Sequence, residues 1–255
     1  MTFTIAVAGK GGVGKTTFAA LTIRHLIESK KDLVLAVDAD PNSNLGAKLE
    51  TEPGRTIGEI REEMLAKADE LPKDVSKQEH LEYQIRLALK EGNGFDLLTM
   101  GRQEGPGCYC YVNNMLRTFL DTLSSKYSYV VVDNEAGMEH LSRRTTRSPD
   151  VLFVLCDSTK AALDAAKRIA MLAEEMKIKA KRKALVFNML PSDAKGPPSE
   201  SVEGFDAVYA VRGSGTIRSR SPESESVLNV PRTDPAYSDT ARIVNAERRA
   251  APIKR

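Results

Sequence analysis

The sequence predicts an α/β domain with a predominantly parallel sheet flanked by helices. A glycine-rich phosphate-binding motif stands near the start between an apolar run and a helical pattern. Later apolar runs are short and continuous rather than alternating, and two of them end in acidic clusters. Continuous runs mark strands buried on both faces, as in parallel sheets, and ligands of open parallel sheets sit at the strands' carboxyl ends.

Taken in order, Phe3 to Ala8 reads as the first buried strand. Residues 9 to 16, Gly9-Lys10-Gly11-Gly12-Val13-Gly14-Lys15-Thr16, form a G-x4-G-K-T loop. Its glycines let the chain turn tightly and bring backbone N–H groups close to a polyphosphate. Lys15 is expected to reach the β- and γ-phosphates and Thr16 to offer its hydroxyl to Mg²⁺. The helix that follows, with Leu21, Ile23, Leu26 and Ile27 at helical spacing through Ser29, would aim its positive end at the anion. Lys10 comes too early in the loop to need its own nucleotide, and a neighbouring subunit's nucleotide is the alternative target.

Leu33 to Val37 is a second strand, ending in Asp38-Ala39-Asp40-Pro41, and Tyr129 to Val132 is another, ending in Asp133-Asn134-Glu135-Ala136-Gly137. Asp133 is assigned to the Mg²⁺ shell through water, Asp38 to a second carboxylate near the metal, and Asp40 to orienting the attacking water. Between them, the charge-rich stretch from Asp69 to Glu91 is expected as exposed helix and loop, followed by a strand over Phe95 to Met100 and a helix from about Tyr111 to Leu123. Val151 to Cys156 is a further apolar run, Lys160 to Lys177 an amphipathic helix, and Lys183 to Phe187 a strand ending at Asn188. From Ser192 to Ser226 the chain is rich in Ser, Gly, Pro and charge, and Ala241 to Arg255 reads as a solvated basic tail.

At 255 residues the chain is expected to form one domain around a full core. No apolar run approaches the roughly 20 residues of a membrane-crossing helix, and no signal peptide precedes the first strand, so a cytoplasmic protein is expected. With 37 basic against 35 acidic residues, net +2, and no arginine-rich stripe, nucleic acid is not an expected partner.

The K-G-G-x-G-K-T-T loop through Thr17, the D-x-D-P after the second strand and the D-x-x-x-G from Asp133 resemble the MinD/ParA/nitrogenase-iron-protein group of deviant Walker A ATPases. That resemblance implies an ATP-hydrolysing homodimer in which Lys10 crosses to the partner's nucleotide. It makes Gly9, Gly11, Gly12, Val13, Gly14, Lys15, Thr16 and Thr17 the nucleotide cradle, Lys10, Lys15 and Asp40 catalytic, and residues 133–137 switch II. In related ATPases an asparagine at the strand end touches adenine, which points to Asn188. The Pro-x-Asp usual near adenine is here one residue longer, Pro231-Arg232-Thr233-Asp234.

Cargo is addressed by the cysteines, of which there are three. Cys108 and Cys110 flank Tyr109, and Cys156 sits in an apolar run as a small hydrophobe would. Two thiolates cannot complete a soft-metal sphere, but a twofold axis supplies four, tetrahedral for Zn²⁺ or square-planar for Ni²⁺. The start of the following helix would lower their pKa values. Spacing alone leaves metal binding and simple burial both open. Gly-Pro-Gly-Cys-Tyr-Cys-Tyr-Val-Asn-Asn at 105–114 and Val-Asp-Asn-Glu-Ala-Gly-Met-Glu-His-Leu-Ser-Arg at 132–143 resemble CooC-type ATPases, accessory proteins that use ATP in inserting nickel into carbon monoxide dehydrogenase. The resemblance implies Cys108 and Cys110 as metal ligands and that enzyme as client. The competing classes are a positioning ATPase of the MinD/ParA kind and an electron carrier like the nitrogenase iron protein, whose switch II cysteine residues 133–137 lack.

Overall fold

The computed structural model describes residues 2–30, 32–66, 76–101, 110–135, 149–176, 178–219 and 226–251. Their centre is an eight-stranded sheet of β1 (Phe3–Gly9), β2 (Val34–Ala39), β3 (Lys90–Glu91), β4 (Phe95–Thr99), β5 (Tyr129–Asn134), β6 (Val151–Cys156), β7 (Arg182–Leu190) and β8 (Ala207–Arg212). Spatial order is β3-β4-β2-β5-β1-β6-β7-β8, and every pairing is parallel except the two-residue edge β3 against β4. The apolar runs over 3–8, 129–132 and 151–156 therefore become the central strands, buried on both faces as such runs demand.

Strand alternation splits the side chains between two layers. On one face Ile5, Val7, Val34, Ala36, Val131, Phe153 and Val186 pack under α1 (Lys15–Lys30) and α8 (Pro235–Ala250). On the other, Leu35, Leu98, Val130 and Val132 pack under α3 (Ile57–Ala66), α4 (Lys77–Ala88) and α5 (Cys110–Ser124). There Ala6, Ala8, Leu152, Val154 and Leu185 meet α6 (Lys160–Glu175), whose Ala162, Ala166 and Ala173 let it lie close to the sheet. Two short helices, α2 (Leu45–Lys48) and α7 (Gly215–Arg218), follow β2 and β8.

Three regions differ from the sequence reading. The polar stretch before β4 includes α4, started by a reciprocal Ser76–Glu79 capping box, and it buries Leu81, Ile85 and Ala88; it is half core rather than all surface. The segment 192–226 contains a strand, β8, in parallel register with β7, although the crossover between them, residues 191–206, has no helix and covers its face with Ala194, Val202 and Phe205 instead. The C-terminal region is not a solvated tail through residue 250. Helix α8 begins at Pro235 behind the N-cap Asp234 and buries Ile243, Val244 and Glu247; Arg242 and Arg249 stay exposed, whereas Arg248 donates to the Tyr129 hydroxyl at 2.5 Å.

A candidate nucleotide site at the fork of the central strand

Strand β1 lies between β5 and β6, at the point where the chain's winding changes direction, so its carboxyl end opens into the crevice where ligands of doubly wound sheets sit. It pairs with β5 only as far as Val7↔Asp133 and then follows β6 through Gly9↔Leu155. The loop of residues 9–15 leaves from this fork. Gly9 is obligatory there, because a Cβ would stand 2.5 Å from the Leu155 carbonyl oxygen. Gly14 has φ +84°, and a Cβ on it would strike the Asn188 amide at 2.6 Å, whereas Cβ atoms on Gly11 or Gly12 would meet nothing within 4 Å. The loop is thus tight against its own protein on one side and open on the other, the shape of a cradle for an anion.

Lys15 is buried, and its ammonium donates to the Lys10 carbonyl at 3.2 Å, while the Lys10 side chain is exposed. Thr16 and Thr17 are half-buried in the first turn of α1. The two acidic clusters meet beside this turn. Asp38 of β2 and Asp133 of β5 are register partners, each about 1% exposed. Both oxygens of Asp38 are used, accepting from the main-chain N–H of Leu45 at 2.9 Å and of Asp40 at 3.2 Å. Burial nevertheless pushes its carboxyl up to about 6, with the Asp40 charge adding. Asp133 has no hydrogen bond of ordinary geometry on either oxygen among the described residues. Burial lifts it to about 7; the Thr16 hydroxyl and Lys15 ammonium hold it back, and Asp38 and Asp40 reinforce the rise. Asp40 is half-buried and accepts from the backbone and side-chain N–H of Asn42 at 2.9 and 3.0 Å, a local turn that fixes its carboxylate.

A buried carboxylate poorly supplied with donors, facing a lysine and a threonine at the start of a helix, is the arrangement a hydrated divalent cation would satisfy. Thr16 and Asp133 fit the holding of Mg²⁺, and the open side of Gly11, Gly12 and Lys15 fits the phosphates.

Residues 2–186, which span this loop and the central strands, match the family model described as AAA domain. The chain belongs to that AAA domain family. Within it, the chain is 50% identical over 186 residues to an "uncharacterized ATP-binding protein" of Methanocaldococcus jannaschii, covering 72% of this chain and 73% of the relative. It is 30% identical over 199 residues to the carbon monoxide dehydrogenase accessory protein CooC of Rhodospirillum rubrum, covering 69% and 70%. Among solved structures, the cell division ATPase MinD of Pyrococcus furiosus superposes with a TM-score of 0.70 at 17% identity, covering 99% of this chain and all of that one. The chain thus has the MinD-like fold.

Asn188 lies within β7, next to the register shift between Phe187 and Leu190, and its amide donates to the Val13 carbonyl at 2.8 Å. Its neighbour Met189 holds φ +59°, an uncommon conformation for that side chain. Beside them is a cavity of about 80 Å³ lined by Gly14, Phe18, Asn188, Met189, Ser214 and Thr240. Asp234, from the lengthened Pro-x-x-Asp, accepts from Ser214 Oγ at 2.6 Å and from the Ala236 N–H at 2.9 Å, so it ties α7 to α8. Met189, Ser214 and Thr240 were not singled out from sequence; a strained bulge and a strand in polar flanks leave no periodic signal. Cys108 lies outside the described residues. Cys110 is the first residue of α5, and among the described residues no cluster of three or more potential metal ligands occurs. Cys156 is buried as expected, its thiol pushed up to about 12 by burial, and is unreactive packing.

Proposed function

We propose that this protein hydrolyses ATP as a nucleotide-gated homodimer and carries Ni²⁺ or Zn²⁺ between paired Cys108 and Cys110 thiolates, assisting nickel insertion into carbon monoxide dehydrogenase. The observation that carries the nucleotide half is the donor-starved Asp133 beside Lys15 and Thr16 at the fork of β1. In this reading Lys15 and the loop N–H groups bind the phosphates, and Thr16 and Asp133 hold Mg²⁺, which neutralises phosphate charge when bound. Asp40 orients the attacking water, and Lys10, exposed on the loop, reaches the partner's nucleotide. Asn188 and the adjoining cavity receive the base. The cargo half is supported by the 30% identity to CooC and by a Cys-x-Cys that runs into the start of α5, whose positive end favours thiolates.

Asp40→Ala should retain ATP binding and accumulate as an ATP-bound dimer with far slower turnover. Lys10→Ala should lose both turnover and ATP-induced dimerisation, and confirmed mixed dimers of the two variants should regain one working site. Metal titration should give one Ni²⁺ or Zn²⁺ per two chains, abolished by Cys108→Ser or Cys110→Ser and untouched by Cys156→Ser. A metal that needs neither Cys108 nor Cys110 would favour the second reading, a positioning ATPase without metal, to which the MinD-like fold over the whole chain lends support.

A further inference from the structure

Asn134 has no part in the chemistry described so far, yet it is the most enclosed polar residue beside the loop, at 0% exposure. It follows Asp133 at the last position of β5, one step past the point where β1 stops pairing with β5. The Asn134 side-chain amide adds a cross-strand tie at that end, donating to the Val7 oxygen at 2.9 Å and more weakly to the Val132 oxygen at 3.4 Å. Both neighbours are acceptors, so the nitrogen must face them and Oδ1 must face away. That Oδ1 is buried without a partner among the described residues, as are both oxygens of Asp133. Asn134 and Asp133, as successive strand residues, point to opposite faces of the sheet, so Asn134 acts on Asp133 through the backbone they share.

We propose that Asn134 is a positioning residue for the metal: by fastening the end of β5 to the strand that becomes the phosphate loop, it sets Asp133 at a fixed offset from Thr16 and Lys15. The inference rests on the nucleotide reading above. Side-chain chemistry limits the substitutes. An aliphatic residue removes this tie, and an ionised carboxylate would face two carbonyl oxygens. Residues that orient a metal ligand govern metal affinity while leaving the ligand itself in place.

The test compares wild type with Asn134→Ala and Asn134→Ser, using a fluorescent ATP analogue titrated in EDTA and in excess Mg²⁺, with thermal melting as the check on folding. Wild type should bind in EDTA and tighten with Mg²⁺. Asn134→Ala should keep its EDTA affinity within about twofold and lose the Mg²⁺-dependent gain by about tenfold or more. Asn134→Ser, which retains a donor, should keep part of the gain, and it decides the matter if the alanine variant does not fold. An undiminished Mg²⁺ gain in Asn134→Ala, or equal losses with and without Mg²⁺, overturns the proposal and leaves Asn134 a structural plug. Wild type that binds the analogue in neither condition overturns the nucleotide reading itself, a distinguishable failure.

Discussion

Two carboxyl groups in register at the ends of β2 and β5 make the protein's stability depend on pH. Asp133 sits near 7 and Asp38 near 6, both raised by burial, whereas an unfolded chain returns them to about 4. The folded state therefore holds more protons than the unfolded one between these values. The pair's contribution to stability is fully present below about pH 4 and is lost as pH rises through 6 to 7. Melting in EDTA at pH 5 and pH 8 should show wild type losing more than Asp133→Asn, which cannot ionise; parallel slopes for the two would show that the pair is not the source. Mg²⁺ with ATP should restore wild type most at the alkaline end, where the carboxylate is ready to receive the cation. Asn188 makes a second residue-scale case. Because its amide braces the Val13 carbonyl, Asn188→Ala should weaken binding of tripolyphosphate, which has no base, by about threefold to tenfold, on the usual worth of one buried hydrogen bond. Unchanged tripolyphosphate affinity would confine Asn188 to the base.

At the scale of elements, residues 226–230 form a strap that joins α1 to the turn after α2. Arg24, on α1 and only 6% exposed, donates through one nitrogen to the Val227 and Val230 carbonyls at 2.8 and 2.6 Å and through Nε to Glu28 at 2.8 Å, and it stacks on Tyr237 of α8 at 4.5 Å. Val227 in turn donates to the Lys48 carbonyl at 3.0 Å. Arg24→Met should cost about 3 kcal/mol, because it strands two buried carbonyls together. Denaturant unfolding would measure this, and limited proteolysis should then cut within 226–234; a loss under about 1 kcal/mol would mean that water replaces the guanidinium. The same elements explain what the sequence hid. Helix α8 carries Arg242, Arg248 and Arg249 on a short apolar stripe of Ala236, Ile243 and Val244, so charge conceals the period. β8 is an edge strand of six residues, four half-buried and two buried, between polar flanks, too short and too mixed to stand out.

For the molecule as a whole, what could be read from sequence is what local chemistry dictates. The loop glycines, the strand-end aspartates and the continuous apolar strands each announce themselves within a few residues. Asn134 at the fork and Asn188 under the loop act through carbonyls 127 and 175 residues away in the chain, and no local pattern encodes such a partnership. The matched family region ends at residue 186, just short of Asn188, and well short of Val227, Val230 and α8. During synthesis the phosphate loop therefore emerges long before the residues that steady it. A chain ending at 186 should carry the whole signature and bind ATP poorly, and stalled nascent chains should gain nucleotide protection against protease only once residues 188 to 250 have cleared the ribosome. A phosphate loop made first and steadied last would thus delay commitment to nucleotide until residues 188 to 250 have folded around it.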